Sequence, residues 1–161
     1  MAQPDIGVAM LPADFSRWED LLDLVRRSFA YMDGVVDPPS SARRLTTESL
    51  RAKACEETCF IASHEGRIVG CAFIAEHADR FYVGKLAVAP EMQGTGVGRA
   101  LMEEAEALAL KAGKPMLELQ TRIELTANQA AFRKLGFHEA ARTAHAGYDR
   151  PTSVTMRKVL S

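Results

Sequence analysis

The sequence predicts an α/β fold of the α+β kind, a single mixed sheet with helices on both faces. Three observations carry this. Strand-like segments and segments of helical period follow one another along the chain, with no repeat or low-complexity stretch between them. Near mid-chain an apolar run, Phe81 to Val88, leads to glycines at alternate positions, Gly94, Gly96 and Gly98, where a helix must begin. The 161 residues suit one domain, residues 1–161, large enough for a real core.

In chain order, Ile6 to Leu11 reads as a first strand. Trp18, Leu21, Leu22, Val25 and Phe29 recur as the apolar stripe of a helix. Tyr31 to Arg44 is a loop, broken by Asp33-Gly34 and Asp37-Pro-Pro-Ser-Ser41. A second helix starts at Thr46 or Thr47 and runs to Glu57. Thr58 to Ser63 and Ile68 to Ala75 are β-rich and flank Glu65-Gly66, a hairpin signal. After His77-Ala-Asp-Arg80 the strand Phe81 to Val88 delivers the chain to the glycines. Their helix runs to about Ala112, turns Leu101, Ala105, Leu108 and Ala109 to the core, and ends at Gly113 and Pro115. Met116 to Thr121 is the next strand. Thr126-Ala-Asn-Gln129 fits a capping box for a short helix, Ala127 to Leu135, stopped by Gly136. Strands near Phe137 to Ala146 and Thr152 to Leu160 bracket the turn Gly147-Tyr-Asp-Arg-Pro151.

Composition excludes several classes. A formal net charge of −1 provides no field for nucleic acid or an anionic membrane. No apolar run approaches the roughly 18 residues of a membrane span. Met1-Ala-Gln-Pro-Asp5 lacks the basic start and apolar core of a signal peptide, so a cytoplasmic location is expected. Cys55, Cys59 and Cys71 are an odd number without a framework, which suits a reducing compartment. Cys55 and Cys59 are spaced to face one another on a helix, but no histidine or further cysteine completes a site, so no metal is expected. His64, His77, His138 and His145 are scattered and read as surface or structural residues.

The glycine cluster is the strongest chemical signal. Each glycine at a helix start costs roughly 0.5–1 kcal/mol relative to alanine, so stability alone does not place three there. Bare backbone lets a ligand approach closely, and the N–H groups of the loop together with the helix dipole make a phosphate cradle. Arg99 in the first turn opposes the dipole unless an anion lies beside it. A Walker A loop is excluded, because Gly98-Arg-Ala100 stands where Gly-Lys-Ser/Thr is needed. A dinucleotide fingerprint fits poorly: the third glycine comes one residue early, and Pro90 to Gln93 intervene. Glu118, at the spacing of its ribose acid, alternates with Leu117 and Leu119 as any strand residue does.

Gln93-Gly-Thr-Gly-Val-Gly-Arg-Ala100, preceded by Leu86-Ala-Val-Ala-Pro90, resembles the Gln/Arg-x-x-Gly-x-Gly/Ala acyl-CoA loop of GNAT-superfamily N-acetyltransferases. Lys134-Leu-Gly-Phe137 is similar to that family's usual ending of the following helix. The resemblance implies a mostly antiparallel sheet with one splayed parallel pair, the strands Phe81 to Val88 and Met116 to Thr121. It implies acetyl-CoA as cosubstrate and direct transfer to a primary amine, on a small molecule or on a protein N-terminus or lysine. Leu86, Ala87 and Val88 would pair with the pantetheine arm. Gln93, Gly94, Thr95, Gly96, Val97, Gly98 and Arg99 would surround the pyrophosphate. A backbone N–H would meet the oxygen that becomes negative, a contact typically worth about 3–4 kcal/mol.

Two positions depart from the family pattern. Phe132 stands where a tyrosine often donates to the CoA sulfur, and Tyr82-Val-Gly-Lys85 carries no glutamate base. Candidate proton carriers are Glu76, Tyr82 and water. Asn128 is either a pantetheine contact or an ordinary first-turn residue. Asp33 and Asp37 favour a cationic acceptor while Arg43 and Arg44 favour a carboxylate, so the loop chooses neither. A non-catalytic acyl-CoA sensor is the first alternative, a nicotinamide-dinucleotide domain a remote one. Homodimerisation is the default assembly.

Overall fold

The computed structural model describes residues 5–160. Its strands are β1 (Gly7–Met10), β2 (Thr58–His64), β3 (Arg67–Glu76), β4 (Phe81–Val88), β5 (Met116–Arg122), β6 (His138–Thr143) and β7 (Ser153–Val159). Its helices are α1 (Trp18–Phe29), α2 (Thr47–Glu56), α3 (Val97–Lys111) and α4 (Thr126–Lys134). One seven-stranded sheet has the order β1-β2-β3-β4-β5-β7-β6. Of its neighbouring pairs only β4–β5 is parallel. A doubly wound nicotinamide fold needs a mostly parallel sheet, so that reading loses its scaffold.

Local chemistry explains most boundaries. Glu65 and Gly66 both have positive φ, 51° and 75°, as a two-residue hairpin turn demands, and they set His64 opposite Arg67. Thr46 caps α2: its hydroxyl accepts from the Ser49 N–H at 3.1 Å and its own N–H donates to the Ser49 hydroxyl at 2.9 Å. The capping box expected at Thr126 does not form. Leu125 is the cap, Thr126 is already helical, and the Gln129 amide donates to the carbonyls of Arg122 and Ile123 at 3.2 Å each. Gln129 therefore holds the turn that enters the helix rather than its first N–H. Cys59 lies in β2, not on a helix with Cys55. Strand β6 is shorter than expected because every residue of this edge strand is exposed, leaving no apolar alternation to mark its end.

Helices cover the two faces unequally. A Cβ on Gly70 of β3 would stand 2.6 Å from Val97 Cγ1 and 3.1 Å from Leu101 Cδ1, so α3 lies directly on that face. Three residues along β3, on the opposite face, Phe73 carries the Lys53 ammonium of α2 at 5.8 Å from its ring centre. Leu21, Leu24 and Val25 of α1, with Phe73, Ile74, Leu101, Leu117 and Met156, form the dry centre. Among the described residues no helix is long and apolar enough to cross a membrane.

The cysteines make a first testable point. Burial pushes the Cys59 thiol up to about 12, helped by the Glu57 charge, and raises fully buried Cys71 further; Cys55 is exposed. Iodoacetamide should alkylate Cys55 alone in the folded protein, with Cys59 and Cys71 reacting only after unfolding, as peptide mapping would report.

Candidate active site

Strands β4 and β5 share a register only at Phe81↔Leu117 and Tyr82↔Glu118. Beyond these pairs β4 stays with β3 as far as Val88, and β5 stays with β7 as far as Arg122. The result is a gap that opens toward the carboxyl ends of both strands. A bulge drives the divergence. Between Phe73↔Gly84 and Cys71↔Ala87, β4 fits Lys85 and Leu86 against Ala72 alone. Lys85 takes φ 48°, a left-handed conformation that costs a non-glycine residue on the order of 1 kcal/mol. Its ammonium donates to the Ser41 hydroxyl at 2.7 Å.

The closed end of the gap is held electrostatically. Glu118 is buried and bridges Arg80 at 3.1 Å and Arg157 at 2.8 Å. Tyr82, half-buried beside it, is pushed above its ordinary range by burial and then by the Glu118 charge; the Gln120 N–H pulls the other way. Its hydroxyl therefore keeps its proton at neutral pH and can donate it. Glu76 lies at this closed end as well, paired with Lys114 at 3.3 Å and largely in solvent, so the fold does not bring it to the open side.

The glycine loop sits at the open end. Gly94 and Gly96 have φ of 79° and 95°, which explains glycine at both through backbone alone. Gly98 is different. Its φ is ordinary, and a Cβ there would meet only Val88 Cγ2, at 3.8 Å. Neither backbone nor packing asks for glycine, so open space before the helix is what its missing side chain preserves. No side chain caps α3, and no acid lies in its first turn. The Thr95 hydroxyl bonds back to the Met92 carbonyl, and Ala100 supplies the first intrahelical N–H, to Gly96. The N–H groups of Val97, Gly98 and Arg99 thus point out of the helix start without a protein acceptor in the helix. Gln93 and Arg99 are exposed beside them, whereas the Val97 side chain is buried against Gly70 and offers only backbone.

Other expected residues are already engaged. The Val88 N–H donates to the Ser28 hydroxyl of α1 at 3.1 Å, and Ala87 is buried opposite Cys71. Leu86 is half-buried on the bulge. The Asn128 amide donates to the Tyr31 hydroxyl at 2.8 Å, tying α4 to the loop after α1. Phe132 packs edge-on to Phe137, with ring centres 6.1 Å apart.

Sequence reasoning missed Arg122. It ends β5, and its guanidinium donates to the carbonyls of Pro38 at 2.6 Å and Pro39 at 3.2 Å. A cation at the carboxyl end of the strand across the gap was the available signal, since ligands of α/β sheets gather there. Among the described residues no cluster of His, Cys, Asp and Glu suits a metal ion.

The Acetyltransferase (GNAT) family matches residues 18–137. An uncharacterized N-acetyltransferase of Chlorobaculum tepidum is 32% identical over 81 residues, 50% of this chain and 49% of that protein. An IAA acetyltransferase of Azospirillum brasilense is 34% identical over 102 residues, 62% of this chain and 66% of that protein. The chain thus matches about half the length of the first relative and just under two thirds of the second. Among solved structures, the PaiA N-acetyltransferase of Thermoplasma acidophilum in complex with coenzyme A shares the fold. Its TM-score is 0.75 over 96% of this chain and 99% of that one, at 19% identity. The splayed β4–β5 pair, the uncapped glycine start of α3 and the match over residues 18–137 agree: the chain belongs to the acetyltransferase (GNAT) family.

Proposed function

We propose that the protein transfers the acetyl group of acetyl-CoA directly to a primary amine. The observation that carries this reading is Gly98, a glycine required by nothing within the chain, at an uncapped helix start facing the open end of the β4–β5 gap. That the Thermoplasma protein of the same fold holds coenzyme A supports it. The residues fit that group: the N–H groups of Val97, Gly98 and Arg99 would receive its pyrophosphate, with Gln93, Gly94, Thr95 and Gly96 shaping the bend and the Arg99 charge adding attraction. Leu86, Ala87 and Val88 would line the pantetheine arm, the Ser28 hydroxyl yielding the Val88 N–H to it. Bound there, acetyl-CoA supplies an activated acyl group.

The chain's own contribution is placement. Holding donor and amine in the gap converts an encounter into a unimolecular step, worth up to about 7–11 kcal/mol in favourable cases. Cys71, the thiol behind β4, is buried and strongly protonated, which supports transfer without a covalent enzyme intermediate. An alkylammonium must first lose a proton, its pKa lying near 10. Tyr82 is a donor rather than a base. Its ring leans along β4 beside Gly84 and its hydroxyl is acted on by the Gln120 N–H, both beyond the last β4–β5 pair. It therefore suits the departing sulfur, while water at the open end takes the amine proton. Phe132 has no proton to give.

Acetyl-CoA mixed with a panel of amines should release free thiol. Coenzyme A binding without thiol release from any amine would instead favour an acyl-CoA sensor. Stabilisation against heat by NAD(H) and not by coenzyme A would defeat both readings.

A further inference from the structure

The loop Tyr31 to Arg44 holds acids and bases in equal measure in sequence, but the fold treats them differently. Asp33 is paired with Arg43 at 3.8 Å. Asp37 is held by Arg150 at 3.1 Å and by the Tyr148 hydroxyl at 2.5 Å. Glu57, at the end of α2, is paired with Lys53 at 2.8 Å. The acids that would have welcomed a cationic acceptor are therefore committed. The cations are not. Among the described residues the Lys85 ammonium bonds only the Ser41 hydroxyl, and the Arg122 guanidinium only the carbonyls of Pro38 and Pro39, all neutral oxygens. Arg44 is exposed, and among the described residues none of the three has a carboxylate within ion-pair distance.

One acid offsets part of this charge. Glu124 accepts the Asp37 N–H at 3.2 Å with one oxygen, and its other oxygen is buried without a partner. Three cations against that carboxylate leave a positive surplus. The surplus is felt locally: burial, then Lys53, Arg44 and Arg122, push the Lys85 ammonium below its ordinary range, and the Glu57 charge, already shared with Lys53, opposes them without reversing the shift. Like charges that outnumber the carboxylates beside them, two of them half-buried, are unfavourable unless something anionic joins them.

Position decides what that anion is. Lys85 lies on the bulge of β4 and Arg122 at the end of β5, so they flank the open gap from its two strands, bridged by the segment Pro38–Ser41. Lys85, bonded to Ser41 of that segment, feels the charge of Lys53 of α2, which meets Phe73 on one face of the sheet. The glycine start of α3 lies on the opposite face, against Gly70. The pyrophosphate cradle and this cluster therefore belong to different ends of a two-substrate site.

We propose that the acceptor carries an anionic group, a carboxylate or a phosphate, near its amine, and that Lys85 and Arg122 seat that group with Arg44 at the rim. This rests on the acetyl-transfer reading only for what the bound acceptor then undergoes. The test gives the intact protein matched acceptors: amino acids against their amides, and phosphorylated amino alcohols against the free amino alcohols. Thiol release from acetyl-CoA is followed for each, and binding is measured in parallel by ligand-detected NMR in the presence of coenzyme A. At least one anionic member should be used or bound about ten-fold better than its neutral counterpart, the size of one charge-assisted contact. The two kinds of pair tell carboxylate from phosphate. Arg44→Gln, at an exposed residue without hydrogen-bond duties, should cut the preference several-fold, and Lys85→Met should cut it further. Anionic amines that bind preferentially yet are never acetylated would sink the transfer reading and leave the anion site standing. Neutral members used or bound as well as anionic ones would overturn the anion site. So would a preference unchanged in both variants, or no binding by any anionic member.

Discussion

Replacing Gly98 by alanine should raise the melting temperature of the protein and weaken its hold on coenzyme A. The two effects have different causes, which is what makes their combination informative. Gly98 lies in the first turn of α3 with an ordinary φ, and an added methyl would meet only Val88 Cγ2, at 3.8 Å. Alanine there gains about 0.5–1 kcal/mol of helix stability, or roughly 1–4 °C for a chain of this size. The same methyl fills the space before the uncapped N–H groups, so coenzyme A should bind about ten-fold more weakly or worse, a loss of at least about 1.4 kcal/mol. Gly94 and Gly96 cannot separate the effects. With φ of 79° and 95°, any side chain strains the loop itself, and lost binding would follow from lost structure. Calorimetric titration with thermal melting of the same samples checks both signs. An alanine variant that is more stable and binds coenzyme A unchanged would remove Gly98 from the cradle.

What could be read from the sequence was whatever neighbouring residues encode. Strand β4 and the glycine bend were legible because apolar alternation and turn chemistry act over a few positions. The bounds of β6 were not, because an edge strand with every residue in water has no period to betray it. The bulge that opens the site was invisible for another reason. Lys85 adopts φ 48° with no glycine to announce it, and its ammonium reaches Ser41, far away in sequence. Arg122 likewise depends on Pro38 and Pro39. The loop charges show the same limit most sharply. Asp33, Asp37, Arg43 and Arg44 were visible as residues, but the folded loop pairs Asp33 with Arg43, and Asp37 is taken by Arg150 and Tyr148 across the molecule. Local structure was sequence-readable; the state of a charge was tertiary.

Glu118→Ala should be among the most destabilising substitutions outside the apolar core. Its carboxylate is buried at the last rung that joins β4 to β5, and it neutralises Arg80 and Arg157 together. Removing one partner from a fully buried ion pair costs about 3–5 kcal/mol. Here the arginine side chains are 27% and 40% exposed, and Arg80 keeps Asp79 at 2.8 Å, so water and a second acid soften the loss. About 2–3 kcal/mol is the expected cost, a fall of roughly 5–10 °C in melting temperature. Glu118→Gln, which retains an accepting oxygen at similar volume, should lose less. The glutamine variant also carries a second readout. The Glu118 charge helps hold the Tyr82 proton, so its removal should let Tyr82 ionise at lower pH, visible in the tyrosinate absorbance of the folded protein. An alanine variant that melts with the wild type would mean that the closed end of the gap is held by the flanking strands alone. An unmoved Tyr82 titration in the glutamine variant would separate the hydroxyl from the carboxylate and leave burial, with the smaller push of the Glu57 charge, as the cause of its shift.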